Sequence, residues 1–420
     1  MTHVLHPAAA SLSDLEAIWR SEEAVSLDPS AKPAVAASSA IVLRAAQGQV
    51  PVYGVNTGFG KLASVRIAPD DTETLQRNLI LSHCCGVGEP LEPANVRLMM
   101  ALKLLSLGRG ASGVRWEICS QIEAMLTRGV LPVIPVQGSV GASGDLAPLA
   151  HMAAAMIGEG EAFFAGERLS GGDALRRAGL EPVVLGPKEG LALINGTQLM
   201  TAVGGLALGR ARRLLKAADI IAAMSVEALL GTDSAFHASI HRVRPHPGQI
   251  ASAANLTRCM KGSALVASHK GCPKVQDPYS LRCAPQVHGA SRDGIAFSVQ
   301  ILEREINAVT DNPLVFPDED LILSGGNFHG APVALALDSA AISLSYLGTI
   351  SERRCDRLLN PDSSELPPFL TPYQGLHSGL MLVQYVAAAL ASENKIYCHP
   401  ASSDSIPTSA GHEDHVSMGP

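Results

Sequence analysis

Long stretches without proline most constrain the fold of this 420-residue chain. The first runs over residues 199–231, and three more follow over 286–312, 333–360 and about 374–396. Each is rich in Ala and Gly, and each predicts a helix about 30–50 Å long at the usual rise per residue. Such helices are at least about twice the globular average in length, and they pack as an elongated bundle. The sequence therefore predicts a mainly α fold.

The run over residues 199–231 indicates what such helices pack against. Its apolar residues recur at helical spacing along one face. They are Val203, Leu206, Leu214, Ala217, Ile221, Met224 and Ala228. Charged residues in the same run exclude a membrane span, namely Arg210, Arg212, Arg213, Lys216 and Asp219. Long Ala-rich helices cannot bury every apolar face within one chain, so the pattern predicts contacts with partner subunits.

The composition excludes several classes of protein. Apolar residues make up 47% of the chain and charged residues 17%, which is too apolar for a disordered chain. The net charge of −7 and the aromatic content of 4% argue against a nucleic-acid partner. Eight scattered cysteines without a Cys-x-x-Cys pair, and an N-terminus without the pattern of a secretory signal, predict reduced thiols in the cytoplasm.

The texture of the chain changes near residue 199. Before it, Gly- and Pro-rich loops separate short helices, and residues 160–186 have room for a few short strands. After it, the long proline-free runs dominate. We therefore divide the chain into an N-terminal domain of residues 1–198 and a long-helix bundle domain of residues 199–420.

The loop GSVGASGDLAPLAH, residues 138–151, places Ala142, Ser143 and Gly144 directly before Asp145. A serine hydrolase needs Gly-x-Ser-x-Gly, and Asp145 occupies the last of those positions. A phosphate-binding P-loop needs a Gly-Lys-Ser/Thr ending, and the segment contains no lysine. The plain alternative is a flexible turn with Asp145 as the N-cap of the following helix.

Other polar or aromatic residues lie in Gly-rich or irregular segments where packing alone does not require them. They are Tyr53 in VYGVNTGFG, His83 in LSHCCGVGEP, Asn195 in LINGTQ, Gln276, Tyr279 and Arg282 in VQDPYSLRC, Phe328 in SGGNFHG and Glu413 in GHEDHVSM. Taken singly, each has a structural explanation, such as a turn for Asn195 or an ion pair for Arg282. Their combination and order along the chain are more specific than any one of them.

Together with GSVGASGDLAPLAH, these segments resemble the aromatic amino acid ammonia-lyase family. The likeness runs from about Tyr53 to Met418 and includes QDPYSLRC, ALASENK and HPASSDSIPTSAGHEDHVSM in the same order. It implies an elongated bundle of long helices of the aspartase/fumarase-like kind, with a smaller N-terminal α-rich region that carries the Ala-Ser-Gly loop. It also implies a homotetramer whose active sites are built from more than one subunit.

The resemblance explains why Ala142, Ser143 and Gly144 stand together. In this family the triplet cyclises to 4-methylideneimidazol-5-one (MIO), an electrophile that no side chain supplies, so no external cofactor is expected. The amide nitrogen of Gly144 attacks the Ala142 carbonyl, and the loss of two waters turns Ser143 into a methylidene. Glycine has the least hindered nitrogen and enters a compressed turn that a Cβ would block. Asp145 is expected to assist the dehydrations by proton transfer.

The resemblance also implies roles for the other residues. Tyr53 would be the base that removes the substrate's β-proton, and Tyr279 would stand beside the MIO ring. Arg282 would bind the substrate carboxylate through a two-pronged pair. Asn195 and Gln276 would hydrogen-bond the MIO ring or the amino-acid end of the substrate, and Phe328 would pack against the MIO ring.

The expected substrate follows from the residues implied around its aromatic ring. These are Ser82, His83 and Glu413, and a carboxylate can accept the N–H of an imidazole. We therefore expect a carbon–nitrogen lyase that eliminates ammonia from L-histidine to give trans-urocanate. Three alternatives stay open: the same chemistry on phenylalanine or tyrosine, an aminomutase that retains the ammonia, and an inactive helical scaffold. His412 stands where we expect Gln, a departure that bears on the polarity of the pocket.

His237 and His241 have the i, i+4 spacing of a metal-binding helix face. No carboxylate arrangement such as His-Glu-x-x-His accompanies them. We therefore expect an exposed helix end there and no metal site.

The C-terminus departs from the family pattern. Members of the family continue past EDHVSM with a further helical segment, whereas this sequence stops at Gly419-Pro420. Because Gly-Pro stops helices, the helix expected to begin near Glu413 cannot extend. We expect a shortened protein whose fold survives.

Overall fold

The computed structural model describes residues 2–21, 23–60 and 63–419. Helices dominate these residues. They are α1 Leu12–Arg20, α2 Lys32–Gln47, α3 Thr72–His83, α4 Pro93–Gly108, α5 Trp116–Arg128, α6 Leu146–Met156, α7 Gly171–Arg177, α8 Glu189–Ile194, α9 Gln198–Ala228, α10 Ala238–Arg242, α11 Pro247–Cys259, α12 Ala264–Ser268, α13 Tyr279–Arg282, α14 Ala284–Glu305, α15 Ala331–Leu359 and α16 Met381–Tyr397.

Short strands form small sheets beside the helices. They are β1 Thr2–Leu5, β2 Ala24–Leu27, β3 Val87–Pro90, β4 Leu131–Pro132, β5 Pro135–Gln137, β6 Glu161–Phe164, β7 Glu167–Ser170, β8 Leu314–Phe316 and β9 Leu321–Leu323. β1 and β2 are parallel, whereas β3 with β5, β4 with β6, β6 with β7 and β8 with β9 are antiparallel. The mainly α prediction is confirmed, and β6 and β7 fall within the segment expected to hold strands.

The four long proline-free runs are helical, but two of their ends were predicted wrongly. α14 ends at Glu305 rather than near residue 312. In the segment after this helix, Asp311 Oδ1 accepts a hydrogen bond from the N–H of Asn312 at 2.7 Å. Such a bond between a side chain and the backbone competes with the hydrogen bonds of a helix. α16 begins at Met381 rather than near residue 374, because Gly375 and Gly379 adopt left-handed φ values of +82° and +53°.

The described residues belong to two compact units that each collect separate segments of the chain. Unit 1 comprises Met1–Leu206, Gln300–Leu335 and Ala401–Pro420, and unit 2 comprises Ala207–Val299 and Ala336–Pro400. The division of the chain between residues 198 and 199 stays a prediction. It lies close to the end of the first segment of unit 1.

Three helices of unit 1 bring loop ends together. α3, α6 and α8 pack against one another. His83 is the last residue of α3, Asp145 immediately precedes α6, and Asn195 immediately follows α8. The packing of these helices therefore brings three separate segments of the sequence, which contain His83, Asp145 and Asn195, close together.

Unit 2 has its own apolar core, which includes Phe236, Leu256 and Leu281. His241 lies in it, so the expectation of an exposed helix end was wrong for this residue. Its Nε2–H donates to the Ala235 carbonyl at 3.2 Å, and its Nδ1 accepts from Gln249 at 3.0 Å. Within the described ranges, no group of three or more His, Cys, Asp and Glu residues is arranged to hold a metal ion. The absence of a metal remains a prediction.

Apolar side chains are exposed on two helices of unit 2. On α9 the exposed residues include Leu214, Ile221 and Met224, all members of the predicted stripe, whereas Leu215 and Ala222 face the core. α16 buries none of its residues. The part of the stripe from Leu214 to Ala228 therefore lies on a face of α9 that unit 2 leaves largely uncovered. Contacts with partner subunits stay a prediction.

One described helix, α15, is long and apolar enough to cross a membrane by length and composition alone. A third of its most apolar window is buried within the protein. Core helices of proteins outside membranes pass the same test, so this observation is weak evidence for a membrane span.

Candidate active site

A cavity of about 680 Å³ in unit 1 brings together most of the predicted site residues. The predicted residues that line it are Tyr53, His83, Ala142, Ser143, Asn195, Phe328 and Glu413. They come from six separate segments of the chain. Their meeting supports the prediction that these segments form one functional site.

The Ala142-Ser143-Gly144 turn is held against a second glycine turn. Gly144 has a φ of +75° and forms a parallel β-bridge with Gly196, whose φ is +133°. A Cβ added to Gly144 would lie 2.1 Å from the carbonyl oxygen of Gly196 and 2.4 Å from its carbonyl carbon. Side-chain atoms cannot approach that closely, so only glycine permits this contact at position 144.

Asp145 connects the turn to the start of α9. It stands at the N-cap position of α6, as the plain alternative predicted, but its side chain makes no capping bond to that helix. Its Oδ2 accepts from the backbone N–H groups of Leu199 at 2.8 Å and Met200 at 3.1 Å, and its Oδ1 accepts from Ser139 Oγ at 3.0 Å. Its own N–H donates to the Gly196 carbonyl at 2.7 Å.

Burial raises the pKa of the Asp145 carboxyl from 3.8 to about 6, because its hydrogen bonds only partly offset the loss of water. A carboxyl that titrates near neutral pH can both accept and return a proton. The folded state binds this proton more tightly than the unfolded chain does. The contribution of this group to stability therefore falls as the pH rises from about 4 to about 6.

Glu413 lies directly against the serine of the triplet. Ser143 Oγ donates to Glu413 Oε1 at 2.9 Å, and Thr408 Oγ1 donates to Glu413 Oε2. The backbones of Thr408 and Glu413 also form an antiparallel bridge. Both carboxylate oxygens are thus oriented, and one of them touches the hydroxyl of the triplet.

The segment after Glu413 is not helical. Residues 414–419 are irregular, so the helix expected to begin near Glu413 is absent from the described part of the C-terminus. Ser417 Oγ instead donates to the Gly141 carbonyl at 3.3 Å, beside the triplet. Pro420, the second residue of the predicted helix stop, lies outside the described residues.

The hydrogen bonds of His83 determine which ring nitrogen carries its proton. Nδ1 lies 2.8 Å from the Leu79 carbonyl oxygen, which can only accept a hydrogen bond, so Nδ1 carries the proton. Ser82 Oγ is 3.1 Å from the same nitrogen. In the neutral ring, Nε2 is therefore a hydrogen-bond acceptor.

Tyr53 and Asn195 are oriented by backbone groups. The phenolic oxygen of Tyr53 accepts from the N–H of Gly60 at 3.2 Å, and its ring meets Phe59 edge to face with centroids 6.3 Å apart. Asn195 Nδ2 donates to the Leu191 carbonyl at 3.1 Å. These contacts hold both side chains at the cavity wall.

Three predicted site residues, Gln276, Tyr279 and Arg282, lie in unit 2 and do not line this cavity. Tyr279 is 71% exposed, and the guanidinium of Arg282 lies 4.7 Å from the centroid of its ring. Arg282 Nε is buried without a hydrogen-bond partner among the described residues. Their roles in the site stay predictions.

The cavity also contains residues that the sequence analysis did not assign to a site. They include Phe59, Leu79, Asn312, His329, Asp414 and His415. His412, singled out as a departure from the expected sequence, lines the cavity too. Asp414 and His415 belong to the GHEDHVSM segment and were within reach of the sequence analysis. Asn312 entered there only as the last residue of the proline-free run over 286–312.

Comparisons with known proteins agree with this geometry. Residues 10–420 match the family described as aromatic amino acid lyase. A histidine ammonia-lyase from Anaeromyxobacter sp. (strain K) is 57% identical over 427 residues, which cover 100% of this chain and 84% of that protein.

Solved structures give the same picture of the fold. The crystal structure of histidine ammonia-lyase from Trypanosoma cruzi matches with a TM-score of 0.91 and 45% identity, covering 100% of this chain and 79% of that one. A phenylalanine aminomutase from Pantoea agglomerans matches with a TM-score of 0.94 and 31% identity, covering 99% and 84%. The fold alone thus does not separate lyase from aminomutase, whereas the sequence is more similar to the lyase.

We expect Gly144→Ala to block cyclisation of the triplet, because its Cβ would push Gly144 away from Gly196. Gly129 offers a matched control, since its φ of +72° is nearly the same and an added Cβ there meets nothing within 4 Å. Gly129→Ala should cost about 1–2 kcal/mol of stability from left-handed backbone alone. Intact-mass measurement detects cyclisation as the loss of two waters. A Gly144→Ala chain that still loses both waters would contradict the expectation.

Proposed function

The chain belongs to the aromatic amino acid lyase family, and we propose that its cavity removes ammonia from L-histidine to give trans-urocanate. It is a carbon–nitrogen lyase. One observation supports histidine as the substrate: Ser143 lines the same cavity as His83 and Glu413. His83 supplies an acceptor for an imidazole N–H, and Glu413 Oε1, which accepts from Ser143 in this structure, supplies another once the Ser143 hydroxyl has been lost; a phenyl ring has no donor for either.

The aromatic amino acid lyases depend on the MIO group, and we propose that Ala142, Ser143 and Gly144 form it in this chain. The residues present fit the group: Gly144 sits in a gap that excludes a Cβ, Ala142 is small and buried, and Ser143 lines the cavity. When formed, the ring supplies an electrophile that activates the substrate for loss of ammonia. Asp145, held beside the turn with a pKa of about 6, would carry protons during its formation.

We assign the imidazole of the substrate to His83 and Glu413. The Nε2 of His83 accepts a hydrogen bond because Nδ1 donates to Leu79. The Glu413 carboxylate also accepts, so the two residues together suit the two N–H donors of a protonated imidazole ring, and either one suits the single N–H of a neutral ring. This pairing favours imidazole over a bare phenyl ring, because a bound ring without N–H donors would displace water from both half-buried side chains without replacing its hydrogen bonds, at a cost of about 1–3 kcal/mol each.

We assign removal of the β-proton to Tyr53. The N–H of Gly60, 3.2 Å from the phenolic oxygen, fixes that oxygen and stabilises negative charge on it. Asn195 has its Nδ2 committed to the Leu191 carbonyl, so we propose that its carbonyl oxygen accepts from the ammonium group of the substrate. Phe328 completes the apolar part of the wall.

We propose a homotetramer in which Gln276, Tyr279 and Arg282 complete the cavity of another subunit. Gln276 and Tyr279 are exposed, and the buried Nε of Arg282 has no partner among the described residues. The uncovered apolar faces of α9 and α16 supply surface for subunit contacts. In that assembly, Arg282 would bind the substrate carboxylate through a two-pronged pair.

We propose a cytoplasmic location and no nucleic-acid or membrane partner. All eight cysteines are unpaired thiols, which is the state that a reducing compartment maintains. The net charge of −7 disfavours binding to nucleic acid.

Ser143→Ala tests the reaction directly. Only a β-hydroxyl at position 143 can leave to form the methylidene, so this variant should fold normally and turn over no histidine. Urocanate and cinnamate-type products absorb in the ultraviolet, so parallel assays with histidine, phenylalanine and tyrosine identify the substrate. Turnover close to wild type in Ser143→Ala would overturn the proposed chemistry, and a β-amino acid product would indicate an aminomutase.

Substitutions at the imidazole-binding residues test the substrate. His83→Leu and Glu413→Ala should each reduce histidine turnover by about 5- to 100-fold, which corresponds to one lost bond to a buried polar group. Thermal unfolding should change far less, and the double variant should shift preference toward phenylalanine. Glu413→Gln is the matched control, because it keeps the side-chain volume and one acceptor. Unchanged histidine preference in the double variant would contradict this assignment.

A mixing experiment tests the shared site. Tyr53→Phe and Arg282→Ala chains should each be inactive, because each lacks one group that every cavity needs. Co-assembled mixtures should regain part of the activity, since some cavities then receive an intact Tyr53 and an intact Arg282 from different chains. Light scattering that shows an active monomer, or mixtures that stay inactive despite mixed assembly, would contradict the proposal.

A further inference from the structure

A lysine lies in the interior of unit 1 and contacts the backbone of a residue of the candidate site. Lys103 belongs to α4, in which every residue from Val96 to Gly108 is buried, and it is itself 1% exposed. Its neighbours along the helix include Leu102 and Leu104. A charged group in such a position is costly unless it is satisfied by specific partners.

The ammonium group of Lys103 contacts the turn that supports the triplet. Nζ donates to the carbonyl oxygen of Asn195 at 2.6 Å, a short charge-assisted bond. Burial lowers the pKa of Lys103 to about 8, while the charges of Asp311 and Asp145 act in the opposite direction and that of Lys188 adds to the lowering. The group is therefore mostly an ammonium at neutral pH.

Two hydrogen bonds fix the consecutive carbonyl groups of that turn. Lys103 holds the carbonyl of Asn195, and the N–H of Asp145 holds the carbonyl of Gly196 at 2.7 Å. Gly196 is the residue against which Gly144 lies with no room for a Cβ. We call the Asn195–Gly196 backbone, against which the triplet turn is compressed, the Asn195–Gly196 wall. Lys103 fixes the Asn195 end of this wall through its hydrogen bond to the carbonyl.

We propose that Lys103 is a positioning residue for cyclisation of Ala142-Ser143-Gly144, acting through the Asn195–Gly196 wall. The inference rests on the proposed formation of MIO. In that reaction a bond forms between the Gly144 nitrogen and the Ala142 carbonyl carbon. The carbonyl oxygen leaves as water with the amide hydrogens of Gly144 and Ser143. The Ser143 hydroxyl leaves as a second water with the Cα hydrogen of the same residue, and no oxidant is needed.

The cost of burying the charge supports this role over a purely structural one. Burying an ammonium group among apolar residues is costly, so packing of α4 alone does not require lysine at this position. Cyclisation, by contrast, depends on how closely the reacting nitrogen and carbonyl carbon are held. A displacement of about 1 Å can slow a reaction about 100-fold.

Lys103→Met tests the proposal, because methionine resembles lysine in length and flexibility but cannot donate to Asn195. Arg97→Met is the matched control on the same helix: Arg97 is also a buried cation, and it donates to the backbone carbonyls of Leu126 and Glu23 rather than to the wall. Lys103→Gln keeps a neutral N–H donor and tests for partial rescue. Each chain is synthesised in a cell-free reaction, and its dehydration is followed by intact mass while circular dichroism reports folding.

We expect the wild-type and Arg97→Met chains to lose two waters at similar rates. Lys103→Met should fold but dehydrate roughly 10- to 100-fold more slowly, with Lys103→Gln in between. Dehydration of folded Lys103→Met at the wild-type rate, or an equal slowing in Arg97→Met, would overturn the inference. If Lys103→Met does not fold, dehydration of a folded Lys103→Gln chain at the wild-type rate would also overturn the inference. A wild-type chain that loses no water would instead overturn the proposed MIO chemistry.

Discussion

The close approach of Gly144 and Gly196 is the constraint on which the candidate site depends. Both glycines have positive φ values, and Gly144 lies so near Gly196 that a Cβ at position 144 would overlap the Gly196 carbonyl, whereas a Cβ at position 196 would meet the Gln198 side chain. Backbones do not hold such a contact unaided. Asp145 ties one turn to the other through its N–H, and its carboxylate accepts from the first N–H groups of α9. The longest of the described helices, α9, therefore begins beside the Ala142-Ser143-Gly144 turn.

This arrangement explains why several ionisable groups are buried around a small backbone motif. Asp145 sits at the N-terminus of α9, where the helix dipole and the free N–H groups favour a negative charge. Lys103, which carries the opposite charge, donates a hydrogen bond to the Asn195 carbonyl. The buried Lys188–Asp311 pair lies nearby, with 2.7 Å between Nζ and Oδ2. Each charge orients a backbone group rather than contacting solvent. The rigidity that results lets the helices fix the geometry of a loop.

Sequence reasoning predicted the parts of the molecule that have a local signal. Missing prolines and Ala-rich periodicity predicted the long helices, and the resemblance predicted Ser143, His83 and Glu413, which the structure brings to one cavity. The role of Asp145 was only partly accessible. An aspartate before a helix looks like a local N-cap, but its carboxylate reaches a helix that starts more than fifty residues later, and no local pattern encodes that bond. Lys103 had no signal beyond a single charge in an apolar run.

In the proposed assembly, a single chain would leave the site incomplete. Arg282 and Tyr279 lie in unit 2, whereas the cavity belongs to unit 1, and unit 2 leaves apolar side chains of α9 and α16 exposed. An arginine buried at Nε without a partner is costly in isolation, and so is exposed apolar area. Subunit assembly would remove both costs at once. Assembly would also bring Arg282, the proposed carboxylate-binding residue, to a cavity that already holds groups suited to an imidazole. Activity would then depend on assembly.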